Sequence, residues 1–365
     1  MTMKITKVEA ELHRVPLKRA VSLPTSQDPI SSTVLDVVLV RVHTDSQHVG
    51  LGFTHSFGGG EMLVALLNST VIPGVVGLDP RRTEWVFERV SSQLAGLGFA
   101  GPVARAYAAV DLALWDWKGK SASAPVWQML GGYRSAVKPI SADVATPALG
   151  VKQSIKECKA ALERGSAGIQ IEVGTMDPDL DYERLKQMRD EIPDGAWFEI
   201  NCSARYDFAT AIWLATVGTE ELGLDGFADP LKTTDPNLLR LADRIDVGIS
   251  AGAHADSVAE LHRVLLAGGV ESLRLDPFRL GGITPMRKLA LAAELHHVSL
   301  YPVRCPEVGV QLGCASLLGR MCEHVDWLDE FFNTTDRMKN GQLYAPDTPG
   351  LGLELNEKLA KTTLA

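Results

Sequence analysis

Four short segments recur through the second half of the chain at intervals of about 25 to 30 residues, the pace of a strand–helix unit. They are Phe198-Glu199-Ile200-Asn201, Phe227-Ala228-Asp229-Pro230, Ser250-Ala251-Gly252-Ala253 and Arg274-Leu275-Asp276-Pro277. From Lys138 onward, apolar strands beginning near Ile140, Gly168, Trp197, Gly226, Gly248, Ser272 and Ser299 alternate with helical stretches, and a weaker eighth segment lies near Trp327. This alternation predicts a parallel α/β barrel, in which residues at the carboxyl ends of the strands face the active site. One helix is sharply marked. Gly281-Gly282 leads to Thr284 as N-cap and Pro285 at the first position, Met286, Leu289, Ala290 and Ala293 form an apolar stripe, and His296 and His297 complement the negative end.

The first part of the chain reads differently. Up to about Gly132 it is an α+β unit, in which Lys4 to Val15 and Thr33 to Val42 alternate as strands around a polar loop, Ser22 to Ser32. The glycine-rich run from Gly50 to Gly60 lacks the strand–GxGxxG–helix context of a nucleotide site and is expected to be a mobile loop. Ala104 to Lys120 carries Ala108, Asp111, Leu112 and Trp115 at helical spacing. The expected division is 1–132, 133–339 and a last segment, 340–365, that returns to the first unit.

At 365 residues the chain exceeds the usual size of one domain. A net charge of −9 speaks against nucleic acid or an anionic membrane as partner, since both need a basic face, and leaves a small molecule as the expected one. Asp36, Asp111 and similar charges interrupt every apolar run before it reaches membrane-span length, and Met1 to Thr6 already alternates like a strand. Cys158, Cys202, Cys305, Cys314 and Cys322 are scattered without a Cys-x-x-Cys spacing and read as free thiols in a reducing cytoplasm.

Ala109-Val110-Asp111-Leu112-Ala113-Leu114-Trp115-Asp116-Trp117-Lys118-Gly119-Lys120, Leu130-Gly131-Gly132, Leu275-Asp276-Pro277 running into Gly281-Gly282-Ile283-Thr284, and Pro349-Gly350-Leu351-Gly352 carry a resemblance over nearly the whole length. The chain resembles the enolase superfamily, most closely its mandelate racemase and muconate lactonizing branch. The resemblance implies an α/β fold, a modified TIM (β/α)7β-type barrel with an N-terminal α+β capping domain. It also implies specificity from the Val21 to Ser31 and His55 to Gly60 loops, and a homo-oligomer. The shared step it implies is removal of a proton next to a carboxylate, with Mg²⁺ stabilising the enediolate. That step supports racemisation, epimerisation, β-elimination and cycloisomerisation.

The departures from that pattern shape the functional expectation. In place of the family's Lys-x-Lys on the second barrel strand stands Gln170-Ile171-Glu172. Against the same pattern, the first metal-ligand position is Glu199, the second falls on Ala228 beside Asp229, and the third on Ala253 beside His254. Val303 takes the place of the dyad histidine, leaving Asp276 without its imidazole, and the acidic residue of the eighth strand corresponds to Asp329. Ala228 and Ala253 offer no side-chain oxygen to an ion that wants an octahedral shell, so no metal cofactor is expected. Glu199, Asp229 and His254 leave open a weak site for a softer ion.

Glu172, Glu199 and Asp276 are then the expected catalytic groups. Three carboxylates near one cavity cannot all ionise cheaply, so repulsion and desolvation should raise one pKa and supply an acid beside a base. The alternative for each is a pairing with Arg274, Arg304 or a backbone amide. Tyr301 and Arg304, on or just after the seventh strand, are placed to orient an anionic group. Gln170, Asn201, Asp229, His254 and Asp329, with His55 from above, complete the expected substrate contacts. Cys202 and Cys305 lack an activating base.

The favoured reading is a metal-independent isomerase or lyase that moves protons by carboxylates on a small cyclic or carbonyl compound, neutral or cationic rather than an acid sugar. Two others stay open: a Mg-dependent acid-sugar dehydratase or racemase with a rebuilt metal site, and a non-catalytic barrel that binds a small ligand.

Overall fold

Three antiparallel strands open the chain, β1 (Ile5–Leu23), β2 (Ile30–Thr44) and β3 (Val49–Ser56), in the order β1-β2-β3. The computed structural model describes residues 3–23, 30–174 and 177–365; of the Val21 to Ser31 loop, residues 24–29 therefore lie outside the described residues. Because side chains alternate along a strand, β2 serves two cores. Leu35, Val37 and Leu39 join the large core shared with the barrel, while Val38, Val40 and Val42 pack with Val8, Leu12 and the helices behind the sheet.

The glycine-rich run expected to be a mobile loop is strand as far as Ser56. Gly50 and Gly52 are needed because the helix Gly101–Ala122 lies directly against β3. A Cβ at either position would come within 2.1 Å of a helix carbonyl oxygen, that of Ala113 or Ala109. That helix is buried from Ala106 to Trp117, since it is held between the sheet and the barrel, and it is accordingly apolar on every side.

Asp111 and Asp116 are the buried acidic exceptions in this helix, and Asp111 reaches the barrel. Its Oδ2 accepts the Thr284 amide at 3.0 Å, and Trp115 Nε1 donates to Thr284 Oγ1 at 2.9 Å. Thr284 is consequently not the N-cap that the spacing predicts. The helix runs Ile283–Leu295 with Gly282 before it, because the cap of the Thr284 amide comes from Asp111 in the other domain. Burial pushes the Asp111 carboxyl up from its ordinary 3.8 to about 7, and its Oδ1 has no partner.

A raised carboxyl favours folding fully below its unfolded pKa, and that contribution is lost as pH rises through the folded value. Asp111→Asn keeps the acceptor and removes the buried charge. It is expected to raise stability near pH 8 by about 1–3 kcal/mol and to change little below pH 4. Thermal melts at both pH values check this; an equal shift at each would contradict it.

Seven barrel strands pair in parallel and in sequence order: β4 (Ala136–Ser141), β5 (Gly168–Glu172), β6 (Trp197–Asn201), β7 (Gly226–Ala228), β8 (Ile249–Ala251), β9 (Ser272–Leu275) and β10 (Ser299–Pro302). The eighth, β11 (Met321–His324), pairs with β4 and lies beside β10. It precedes Trp327, so its acidic residue is Glu323, and the assignment to Asp329 is corrected. Trp327 and Leu328 are apolar because they are buried in the loop beyond the strand. The hairpin β12 (Met338–Lys339) and β13 (Gln342–Tyr344) adds to the start of β4. The last helix, Glu357–Thr363, lies on β1, where the Ala365 amide donates to Leu12 O at 3.0 Å.

The modified barrel beneath an α+β cap is the architecture expected. All five cysteines are free and buried. No helix among the described residues is long and apolar enough to cross a membrane.

Candidate active site

Parallel strands bring all their carboxyl ends to one mouth, which the cap covers. The register pairs Gln170 with Glu199 and Glu172 with Asn201, so each strand sends two inward residues, one tier above the other.

The lower tier is organised around Arg274, which is 1% exposed. Its guanidinium lies 3.3 Å from Glu199, 3.0 Å from Asp229 and 2.6 Å from Glu323. The Tyr301 ring centroid is 5.2 Å from the same group. Glu199 is also held by Gln170 Nε2 at 2.5 Å, Tyr301 Oη at 3.3 Å and Trp197 Nε1 at 3.2 Å. Burial opposes the charge on Arg274, but Asp229, Glu323 and Glu199 outweigh it and hold its pKa above the usual range. A planar fork of donors suits this convergence of carboxylates better than an ammonium would. Sequence reasoning considered Arg274 only as an incidental counter-charge. Its inward position on β9, level with Tyr301 on β10, was the available signal.

The upper tier is the wall of a narrow pocket of about 30 Å³, with Asp143, Glu172, Asn201 and Arg304 around it and Val21, Phe57 and Trp327 above. Glu172 meets Arg205 at 2.7 Å. Burial raises the Glu172 pKa, and Arg205 opposes the shift without cancelling it. Asn201 Nδ2 donates to Gln170 Oε1 at 3.0 Å, which ties the wall to the floor. Arg304 adopts a left-handed backbone, φ 62°, held by its amide on Glu323 Oε1 at 3.0 Å and by its carbonyl 3.2 Å from His55 Nε2. Among the described residues, no carboxylate lies within ion-pairing distance of its guanidinium, which faces the pocket.

Several expected site residues stand elsewhere. Asp276 is the N-cap of Pro277–Leu280, accepting the amides of Phe278 at 2.8 Å and Arg279 at 3.2 Å, and it faces Arg105 at 3.5 Å. Burial works against its charge, yet Arg105, Arg304, His55 and Arg279 hold its pKa below the ordinary value, so it stays ionised and is no acid. Glu199, 1% exposed, lies in the floor network rather than in the pocket wall. Tyr301 is buried in that floor as well.

His55 is buried against Phe278 and Trp327 with its pKa lowered to about 4, first by burial and then by Arg105. Its Nε2 supports the Arg304 carbonyl at 3.2 Å, and it is not among the residues lining the pocket. His254 is likewise lowered to about 4, first by burial and then by Arg304, and lies outside the wall. Asp229 accepts the amides of Gly252 at 2.8 Å and Ala253 at 3.3 Å and is otherwise taken up by Arg274. Asp329 pairs with His324 at 3.6 Å beside a separate small cavity.

Glu172, Gln170, Asn201 and Arg304 are the expected residues that the fold does bring to the pocket, and Asp143 and Glu323 are acids in its lining that sequence reasoning missed. A larger cavity of about 760 Å³ lies at the opposite end of the barrel, around Trp197 and Met321, where the strands begin.

Residues 4–131 match the family model for the mandelate racemase / muconate lactonizing enzyme N-terminal domain, and residues 153–359 match the enolase C-terminal domain-like model. The chain is 26% identical to L-talarate/galactarate dehydratase of Salmonella typhimurium LT2, covering 99% of this chain and 91% of that protein. The crystal structure of that dehydratase with Mg and L-lyxarohydroxamate superposes with a TM-score of 0.92, covering 100% of this chain and 94% of that one. L-talarate dehydratase of Polaromonas sp. JS666, complexed with Mg and L-glucarate, is 28% identical with a TM-score of 0.90, over 100% and 98% of the two chains. A 3,6-anhydro-alpha-L-galactonate cycloisomerase of Streptomyces coelicolor is 26% identical over 98% of this chain and 99% of its own.

Magnesium in these solved relatives overturns the expectation that no cofactor belongs to a site of this descent. The side chains present here do not form a cage for it as they stand. Ala228 and Ala253 supply no oxygen, and the oxygens of Glu199, Asp229 and Glu323 close on the Arg274 nitrogens instead. Among the described residues, no three His, Cys, Asp or Glu side chains are grouped to hold an ion, and the softer-ion site of Glu199, Asp229 and His254 is not formed.

Proposed function

Because this chain belongs to the mandelate racemase and muconate lactonizing branch of the enolase superfamily, a superfamily of enzymes, we propose that it is a dehydratase of a small polyhydroxylated carboxylate. The observation that carries the reading is Arg304, a guanidinium with no carboxylate partner among the described residues, lining a pocket that also holds Glu172 and Asn201. A planar bidentate donor in a half-buried wall is matched to a substrate carboxylate. Asn201 and Gln170 provide amide groups for hydroxyls.

The favoured sequence reading, a metal-independent isomerase or lyase on a neutral or cationic compound, gives way on two grounds. Several relatives are named for acid-sugar dehydration, and the pocket wall carries Arg304, a cation without an ion-pair partner among the described residues.

In this reading Arg304 binds the carboxylate and so acidifies the neighbouring C–H. Glu172 takes that proton. Its pKa, raised by burial, gives it more basicity than an exposed carboxylate, while Arg205 keeps a charged fraction available.

The test is direct. Purified protein is offered four- to six-carbon aldonates and aldarates, with Mg²⁺ present and after chelation. Formation of 2-keto acid and exchange of the α-proton with D₂O are followed by NMR. Turnover of at least one hydroxy acid is expected, with Glu172→Gln lowering kcat by about 10²–10⁴-fold. Neither exchange nor elimination across the panel would overturn the assignment.

A further inference from the structure

Asp143 stands two residues past the end of β4 in the left-handed backbone region, φ 57°, which few side-chain-bearing residues other than Asn and Asp enter readily. Several bonds hold it there. Its carbonyl accepts from Arg19 Nε at 2.8 Å, and Arg19, from the cap, is itself locked to both oxygens of Asp326 at 3.1 and 2.8 Å. On one side Ala142 N donates to His324 O at 2.9 Å; on the other Glu172 N donates to Ala145 O at 2.9 Å. Strain over-determined in this way is concentrated at working sites.

The carboxyl that this backbone presents lines the pocket. Among the described residues it has no hydrogen-bond or ion-pair partner, whereas every carboxyl around it is engaged. Glu172 is held by Arg205, Glu323 by Arg274 and the Arg304 amide, and Asp326 by Arg19. A strained, unpartnered acid among committed ones is poorly explained as packing.

We infer that Asp143 is the proton donor that expels the substrate's β-hydroxyl, beside Glu172 as the base, an inference that rests on the dehydratase reading. The step balances within the pocket. The Cα–H bond breaks with its proton going to Glu172, and the electron pair moves onto the substrate carboxylate as an enediolate. As that pair returns to form the Cα=Cβ bond the Cβ–O bond breaks, the Asp143 proton goes to the departing oxygen, and water leaves. The enol tautomerises to the 2-keto acid, and solvent returns a proton to Asp143 and removes one from Glu172.

Burial pushes the Asp143 carboxyl up to about 7, with Glu172 and Glu323 adding to the shift and Arg304 and Arg19 opposing it. A protonated acid beside a charged base is the arrangement that two neighbouring carboxyls adopt when their environments differ. The elimination rate in the wild type is therefore expected to fall as pH rises through about 7.

The experiment compares wild type, Asp143→Asn and Asp143→Ser on galactarate and on the rest of the panel, reading elimination and α-proton exchange separately. Elimination is expected to fall at least about 10²-fold in both variants while exchange, which Glu172 performs, persists. Equal loss of both signals in folded variants, or retention of elimination, overturns the role of Asp143. A wild type without either signal overturns the dehydratase reading and this inference with it.

Discussion

Arg274→Met is expected to lower folding stability by about 3–5 kcal/mol, the cost of leaving buried charges without their partner. The guanidinium is 1% exposed and answers Glu199, Asp229 and Glu323, which come from three different strands or strand ends. Methionine fills much of the volume and none of the charge, so the carboxylates must take up protons or move apart. The loss should therefore be larger at pH 8 than at pH 5, which denaturant titrations at both values will show. Arg274→Ala carries a second expectation. It leaves the same oxygens facing an open space, so millimolar Mn²⁺ or Ca²⁺ should raise its melting temperature more than that of the wild type. A neutral effect of either substitution on stability would mean that the carboxylates are not held by this residue.

Arg304→Gln is expected to act in the opposite manner, with little change in stability and a large loss of function. Its guanidinium has no carboxylate partner among the described residues, so the fold loses no ion pair with it. A substrate carboxylate would lose a charged, bidentate partner, worth about 2–5 kcal/mol. In kcat/KM that is a fall of roughly thirty- to several-thousand-fold. Arg304→Lys keeps the charge without the fork and should fall between the two. Steady-state kinetics beside thermal melts check both, and a variant that melts early yet turns over normally would remove Arg304 from substrate recognition.

The barrel was legible because its signal is local. A short apolar run followed by a polar or small triplet repeats with each unit, and strand starts at Gly168, Trp197, Gly226, Ser272 and Ser299 agree with the structure. Glu172 and Arg304 were legible for the same reason, standing at or just beyond strand ends. The eighth strand was misplaced because a buried loop around Trp327 and Leu328 imitates the apolar run of a strand. Gly50 and Gly52 were misread because their cause, the helix pressed against them, lies far along the chain.

The Arg274 cluster was hidden for a related reason. A long side chain on β9 reaches acids set by distant strands, and no spacing rule shows where its head group comes to rest. Asp143 was missed because it follows its strand in an irregular turn, where the hydrophobic period no longer says which way a side chain points.

Arg19 joins the two domains at one point, gripping Asp326 and the Asp143 carbonyl together. The pocket, about 30 Å³, is smaller than a sugar acid, so on the proposed function binding would require the roof carrying Val21 and Phe57 to draw back. Because Arg19 and Val21 share one strand, such a retreat would also slacken the tether on Asp143, the proposed donor. On the dehydratase proposal, an open form would receive the substrate and a closed one would carry out the elimination away from bulk solvent.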